Sequence, residues 1–573
     1  MLETAFLVYL SSCAHTPPRT EVRQLCPGFK VRGQIEPGLS DIERNLVCGD
    51  PQQVEWKTLP KWQAEFNFKN FLQDRGLYKP KFITEQDGQI LVDVGEPTLV
   101  KKVTSIGAPD VVDISRRRFV VGSVMTPALL SDMEGWVGHE LKVYGYPCPK
   151  IKAEGDPETG ELRINVDRGP LQNVVREIEQ QVPGMDPGVL QRFHAFGFGD
   201  PYNENLLNLS ALRVTRQGLF DSDYFTSSCG PDGATVRENV VEAPPRLLAF
   251  GVGVDTEGLV QGRASWTNAR LGRKASVLTA SVSASAKIQQ VNLSMDWYAF
   301  EAADRKSIRP SFQLLHQNEN AFEVFQTTAQ LAFQKTWEWP ISKGIFLLGP
   351  QYQQIHTFRG TGPANSRFLM LASQLEFISH SYELYLDQPR SGFDLVATAD
   401  FSKEGIVTSI TAQRVGFRYE ALFNVFNKDP PLLVFGLRGS LDTTITPSSD
   451  LPEGAASQLP PTFTYFLGGS RDLRGFGRLS LPNNQIGGLT SVFTGLESRL
   501  VRVLPANLEP FLFIDAGALG ASSFSLNDPI YYSPGLGIRW ASPFGAFRTT
   551  LARGYPLDAP GGWQFYFSFG EEF

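Results

Sequence analysis

Three charged residues open a chemical reading of this chain. Arg474 lies in GGSRDLRGFGR (468–478), a run with four glycines and three arginines. Two carboxylates follow in apolar surroundings, Glu497 in VFTGLESRL and Asp515 in PFLFIDAGAL. Paired carboxylates can share general acid and base work. Beside an arginine, however, a carboxylate stays ionised and makes a poor acid, so the trio suits an ion-pair clamp better than catalysis. A planar guanidinium can engage two such groups at once. A buried charge stripped of its partner costs about 3–5 kcal/mol, so pairing would pin the segment that carries it. The glycines would let the backbone turn sharply into a crowded interior. By residue type alone, a solvated arginine in an external loop is the equal alternative.

Other chemistry finds little support. FGVGVDTEG (250–258) is glycine-rich but lies in a strand pattern with no helix after it, which argues against phosphate binding. LGRKAS lacks the Lys-Ser/Thr ending of a P-loop, and no GxSxG elbow occurs. The six histidines are scattered, without HExxH or an i, i+4 pair suited to zinc. No enzyme activity, cofactor or metal is expected. A formal charge of −7 and a pI near 5.6 argue against a nucleic-acid-binding surface. Mean hydropathy is −0.16 and no run of 18 apolar residues appears, so no transmembrane helix is expected. A transmembrane barrel stays open, because its strands alternate apolar and polar residues.

The acids need strands to aim them. From about residue 245 onward, period-two alternation replaces helical periodicity. In VNLSMDW, Val291, Leu293, Met295 and Trp297 share one face; in LMLASQLEF, Leu369, Leu371, Leu375 and Phe377 do. Leu496, Ser498 and Leu500 lie opposite Glu497, and Leu512, Ile514 and Ala516 lie opposite Asp515, which turns both acids inward. WQFYFSFGEEF sets Trp563, Phe565, Phe567 and Phe569 on one side and ends at Phe573. A soluble sandwich could alternate too. The absence of interspersed helices and the aromatics near strand ends favour a closed antiparallel barrel over 245–573, long enough for about 16 strands.

The first 245 residues repeat at a period near 70. FLQDRGLYKPKF, LKVYGYPCPKI and LRVTRQGLFDSDYF each run from an apolar-periodic stretch to a glycine (Gly76, Gly145, Gly218) and then aromatics, as a helix with a C-terminal glycine does. A strand pair with a turn signal follows each, closing on Pro97, Pro170 and Pro244. Three α/β modules are therefore expected at 22–98, 99–170 and 171–244. Ahead of them, residues 1–21 include AFLVYLSSCAH, which resembles the end of a lipoprotein signal with Cys13 as the lipidated residue. Glu3 and the lack of a basic start leave two equal readings, a true start upstream of Met1 with Cys13 lipidated or an ordinary cysteine. Cys26 and Cys48 make a plausible disulfide in an oxidising periplasm, although spacing alone leaves Cys148 and Cys229 open as partners.

The helix–glycine–aromatic–hairpin unit resembles POTRA domains. LGGSRDLRGFGR resembles the sixth-extracellular-loop signature of the BamA/TamA superfamily, with its core at Arg474, Gly475 and Phe476. FIDAG (513–517) and GLE (495–497) are similar to that family's aspartate and glutamate strands, and FYFSFGEEF (565–573) to its C-terminal β-signal. The resemblance covers nearly the whole chain. It implies α+β POTRA modules followed by a transmembrane β-barrel in the outer membrane of a Gram-negative bacterium, with the modules in the periplasm. It also implies a lumenal arginine in contact with Glu497 and Asp515. Three modules are most like TamA, which implies a TamB-like inner-membrane-anchored partner. Unfolded outer-membrane proteins such as autotransporters, outer-membrane lipid, or both would then be clients. A BamA-like general insertase, a two-partner-secretion transporter, a plastid-type import pore, and a passive pore or scaffold are the alternatives. Gly251 and Gly253 in the first barrel strand (about 246–256) and Gly570 in the last weaken pairing, so the seam between them is expected to be short or partly open.

Overall fold

The computed structural model describes residues 22–50, 52, 59–110, 112, 120–385, 390–425, 431–447, 455–482, 486–501, 504, 507–526, 529–542, 545–556 and 561–570. Cys13, and Phe573 of the C-terminal motif, lie outside the described residues. The chain divides into two units, 1–171 and 172–573.

The first unit holds two modules. In one, β1 (Val22–Cys26) and β2 (Phe29–Arg32) precede α1 (Asp41–Cys48) and α2 (Lys61–Gln73), and β3 (Lys81–Thr84) and β4 (Ile90–Asp93) form a hairpin. The sheet order is β1-β2-β4-β3, with β2 parallel to β4. Ser40 and Glu43 form a capping box that starts α1, and a Cys26–Cys48 disulfide ties β1 to that helix. The next module has β5 (Lys102–Ile106), α3 (Pro127–Val143), β6 (Lys150–Asp156) and β7 (Glu161–Asp167), in the order β5-β7-β6. Thr126 caps α3 and Pro127 fits its first turn, where a missing N–H costs nothing. Met133, Val137 and Leu141, spaced four apart on one helix face, pack with Leu162 and Ile164.

The second unit begins with the same topology. β8 (Val174–Ile178), α4 (Glu204–Arg216), β9 (Ser222–Cys229) and β10 (Ala234–Val241) form a sheet of order β8-β10-β9, with β8 parallel to β10. Beyond α2, α3 and α4, the chain turns at Gly76, Gly145 and Gly218, with φ of 76°, 95° and 67°. These left-handed values explain the repeated glycine. The short leading strands β5 and β8 carry no hairpin signal, and the repeat read from sequence did not include them.

Sixteen antiparallel strands, from β11 (Arg246–Asp255) to β26 (Trp563–Gly570), close into a barrel. A short helix, α5 (His380–Leu384), joins β18 (Asn365–Ser379) to β19 (Gly392–Ser402). Alternation works as the pleat requires. Leu512 and Ile514 are exposed on the outer face while Asp515 between Ile514 and Ala516 is fully buried. At the module end the barrel shares a core with the third module, where Leu190, Phe193, Val214 and Leu219 pack with Ala269 and Ala275.

Candidate functional site: the lumenal loop and the strand seam

Between β21 (Leu433–Ile445) and β22 (Thr490–Leu500), the described loop residues 455–482 and 486–489 pack inside the barrel. Phe463 of this loop stacks on Phe368 of the wall, with ring centroids 4.3 Å apart. Farther along, Leu467, Leu473, Phe476 and Leu481 pack with Phe493, Leu519 and Tyr531. Apolar side chains on two sides of the lumen thus draw the loop inward, and the backbone turn between them delivers Arg474.

Arg474 is 1% exposed. Its Nε donates to Asp515 Oδ2 at 2.8 Å and Nη2 donates to Oδ1 at 2.8 Å, a two-pronged contact. Nη1 donates to Glu497 Oε2 at 2.9 Å, and the guanidinium carbon lies 3.3 Å from the Phe513 ring centroid. β22 supplies Glu497 and β23 (Leu508–Gly520) supplies Phe513 and Asp515. Arg499 and Arg548 also donate to Glu497, at 2.9 and 3.0 Å, so this carboxylate ties the loop to two further wall positions.

The neighbours of Arg474 explain their own types. A Cβ on Gly475 would stand 2.4 Å from the Gly554 nitrogen, so only glycine fits. Phe476 is wholly buried, edge-on to Tyr531 at 5.5 Å, and would clash with side chains at Gly554 and Gly561. Its carbonyl accepts a hydrogen bond from Tyr566 Oη of β26 at 2.6 Å. On the other side, Ser470 donates to Glu257 from its amide at 3.1 Å and from its hydroxyl at 2.5 Å. Glu257 belongs to the turn between β11 and β12 (Leu259–Leu271). One loop therefore grips both the first hairpin and the last strand.

Those two strands barely meet. Among the described residues, β11 and β26 share two register pairs, Val254↔Phe569 and Asp255↔Ser568. The Thr256 amide adds a bond to the Phe567 carbonyl at 3.0 Å. On its other edge β11 pairs with β12 from Arg246 to Asp255. Among the described residues, Gly251 and Gly253 pair on that β12 side alone, and Gly570 pairs with Ala546 of β25 (Gly545–Arg553). Residues 246 to 250 are exposed on both strand faces, as a strand without a cover on one side would be. Phe565 points outward, while Phe569 stacks on Phe547 at 4.2 Å. A cavity of about 690 Å³ adjoins the seam, lined by Asp255, Arg418, Arg438, Asp472 and Tyr566 among others.

The Omp85 superfamily domain matches residues 266–573, more than half of the chain. The protein belongs to the Omp85 superfamily. Its fold is similar to that of BamA from Haemophilus ducreyi lacking POTRA domains 1–3, at 17% identity over 79% of this chain and 94% of that one, with a TM-score of 0.50. CdiB from Acinetobacter baumannii is similar at 13% identity, 83% and 90% coverage, and a TM-score of 0.47. Haemophilus influenzae BamA POTRA3-5 is similar at 15% identity, 40% and 100% coverage, and a TM-score of 0.26. No curated protein matches. This Omp85 chain is thus a closed 16-strand barrel preceded by POTRA-like modules.

The Omp85 loop motif drew attention to Arg474, Glu497 and Asp515, which the structure brings together. Sequence reasoning missed Phe513, Glu257 and Tyr566, which complete the loop's grip. The period-two pattern could have found Phe513, two residues before Asp515 on the same inward face. Nothing local marks the other two.

A second cluster of ligand-type side chains lies in the third POTRA module. The scattered histidines gave no ligand spacing, yet the fold places ligand atoms of Glu177, His194 and Glu238 within 4.8 Å of one another. Burial pulls the His194 imidazolium down, but its contacts with Glu177 and Glu238 outweigh that and raise it to about 9. Burial, then the adjoining Glu238 carboxylate, push Asp223 up to about 8.

Proposed function

We propose that this Omp85 protein is an outer-membrane assembly subunit of the TamA kind, which builds client strands onto its own first strand. The observation that carries this reading is the seam, where among the described residues two register pairs join β11 to β26 and no described strand covers the rest of that β11 edge. An open edge presents unmet N–H and C=O groups, and each costs several kcal/mol in lipid. A client strand that pairs there by β-augmentation relieves that cost and is templated as it enters the bilayer. In this reading the lumenal loop holds the two flanks of the seam at a fixed spacing through Glu257 and Tyr566. Membrane thinning and client folding supply the work.

The POTRA modules stand in the periplasm of a Gram-negative bacterium and offer exposed sheet edges to clients and to a TamB-like, inner-membrane-anchored partner. The same seam could pass lipid acyl chains to the outer leaflet when such a partner delivers them. The test is reconstitution of the full chain in liposomes with a urea-unfolded outer-membrane barrel as client. Folded, heat-modifiable client should accumulate faster than in empty liposomes. A rate equal to that of empty liposomes would support a passive pore or scaffold and overturn the reading.

A further inference from the structure

The third POTRA module holds a buried cluster that the insertion mechanism does not use. His194 is 2% exposed and Glu238 0%. His194 Nε2 stands 3.3 Å from Glu238 Oε2. On the ring's other side, Glu177 Oε1 stands 2.8 Å from Nδ1. Asp223 lies against Glu238 from the neighbouring strand and is nine-tenths buried. Both Asp223 oxygens and Glu238 Oε1 are buried without a hydrogen-bond partner.

Placement follows from the sheet. Glu238 on β10 is opposite Phe225 on β9, and Asp223 is the next inward residue along β9. Glu177 on the parallel strand β8 is opposite Val236, two residues before Glu238. His194 comes from the segment that precedes α4, its ring stacked on Phe196 at 4.9 Å and edge-on to Phe225 at 5.7 Å. The nearest arginines reach only backbone here. Arg305 donates to the His194 carbonyl at 2.7 Å and Arg213 to the Phe193 carbonyl at 3.2 Å. Their other nitrogens are committed to Glu338 and Glu383.

Two carboxylates thus flank one imidazole, and a third, Asp223, lies against one of them, Glu238. An imidazolium supplies one charge and two N–H groups, which face Glu177 and Glu238 Oε2 and leave both Asp223 oxygens and Glu238 Oε1 without a donor. Buried charges are otherwise paired or coordinate metals. Ligand atoms about 2.1 Å from a tetrahedral zinc ion stand roughly 3.4 Å apart, and Nε2 and Oε2 are already 3.3 Å apart. Imidazole together with carboxylates suits zinc-class ions rather than magnesium or calcium.

We propose that His194 Nε2, Glu238 and Asp223 bind a divalent transition-metal ion of the zinc class, with Glu177 orienting the imidazole through Nδ1. Binding releases the Nε2 proton and the Asp223 carboxyl proton to solvent, and the ion's two charges balance the two carboxylates. The ion staples the POTRA sheet to residues 190–197, the segment that Arg213 and Arg305 fasten to the barrel. It therefore stiffens the joint between the last module and the barrel.

The test uses the full chain in detergent, untagged and washed with chelator, then dialysed against low-micromolar ZnCl2. Metal analysis should find one zinc per chain, retained in His316→Gln at the far end of the barrel and lost in Glu238→Gln and Asp223→Asn. Glu177→Gln should weaken affinity by about 10–100-fold, as expected of a group that orients a ligand. Should the buried variants fail to fold, Co²⁺ replaces zinc in the wild type, and d–d absorption that Glu177→Gln shifts supports the site. Folded wild type that retains no zinc, or zinc and Co²⁺ spectra that none of these variants changes, would overturn the proposal.

Discussion

Among the described residues, fifteen register positions join β17 (Ser342–Arg359) to β18, whereas two join β11 to β26. At about 1 kcal/mol net for each backbone hydrogen bond, the shortfall is on the order of 10 kcal/mol. In lipid, where water cannot replace a lost partner, the disparity is larger. Among the described residues, the same barrel therefore has a wall held by many pairs and a joint held by few. The lumenal loop spans this asymmetry. Its Phe463 packs on the strong wall through Phe368, and its Ser470 and Phe476 bond both flanks of the weak joint. A loop anchored in this way can set the width of the joint without filling it.

The sharpest way to break the contrast is to make the weak joint as permanent as the wall. A disulfide between Val254→Cys and Phe569→Cys, which are register partners, should bring client insertion down to the spontaneous rate of empty liposomes, with recovery on reduction. The matching bridge between Tyr352→Cys and Leu369→Cys, partners across β17 and β18, should leave insertion unchanged. Insertion rates in the oxidised and reduced proteins check both, with the wild type reduced in parallel because it has its own Cys26–Cys48 bridge. Equal activity in the two locked proteins would remove the functional meaning of the difference.

Removing the clamp should weaken the joint's control rather than the wall. Arg474→Ala leaves Glu497 and Asp515 buried with less compensation, at a cost of about 3–5 kcal/mol. Arg438 and Arg548 nearby keep the loss from being greater. The expected result is a several-fold fall in client insertion, with the heat-modifiable band shift moved to lower temperature. Arg474→Lys should recover only part of either, because an ammonium cannot make the two-pronged contact with Asp515. Gel shift against temperature, beside insertion rate, separates loosening of the loop from loss of the barrel.

How much of this was legible before folding depends on the range of the contacts. Glu497 and Asp515 could be aimed inward from sequence because a strand's pleat fixes direction within a few residues. The helix ends at Gly76, Gly145 and Gly218 were legible for the same reason, since a left-handed turn is a local demand. The leading strands β5 and β8 are short and pair in parallel with distant partners, so no local turn announces them. The core shared by the third module and the barrel rests on Ala269 and Ala275, small residues whose packing role leaves no pattern. The His194 cluster needs the register of β8, β9 and β10 together, which three separate stretches of chain do not reveal. Tyr566 and Glu257 meet the loop from opposite ends of the barrel sequence, so their part in the joint is a property of closure alone.

The smallest change tests whether the loop acts on the joint through single bonds. Tyr566→Phe deletes the hydrogen bond to the Phe476 carbonyl and leaves the ring in place. Phe476 stays buried against Tyr531 and in the glycine-lined cleft of Gly554 and Gly561, so the loop should keep its position. The lost bond is worth about 0.5–1.5 kcal/mol, with a further cost for the carbonyl left unpaired. That is small beside the clamp but large beside a joint of two register pairs. Hydrogen exchange should therefore quicken at the amides of β26 and of the Thr256 turn, while β17 and β18 stay protected. If exchange rises equally around the barrel, the loop stabilises the cylinder as a whole and the joint is not under its particular control.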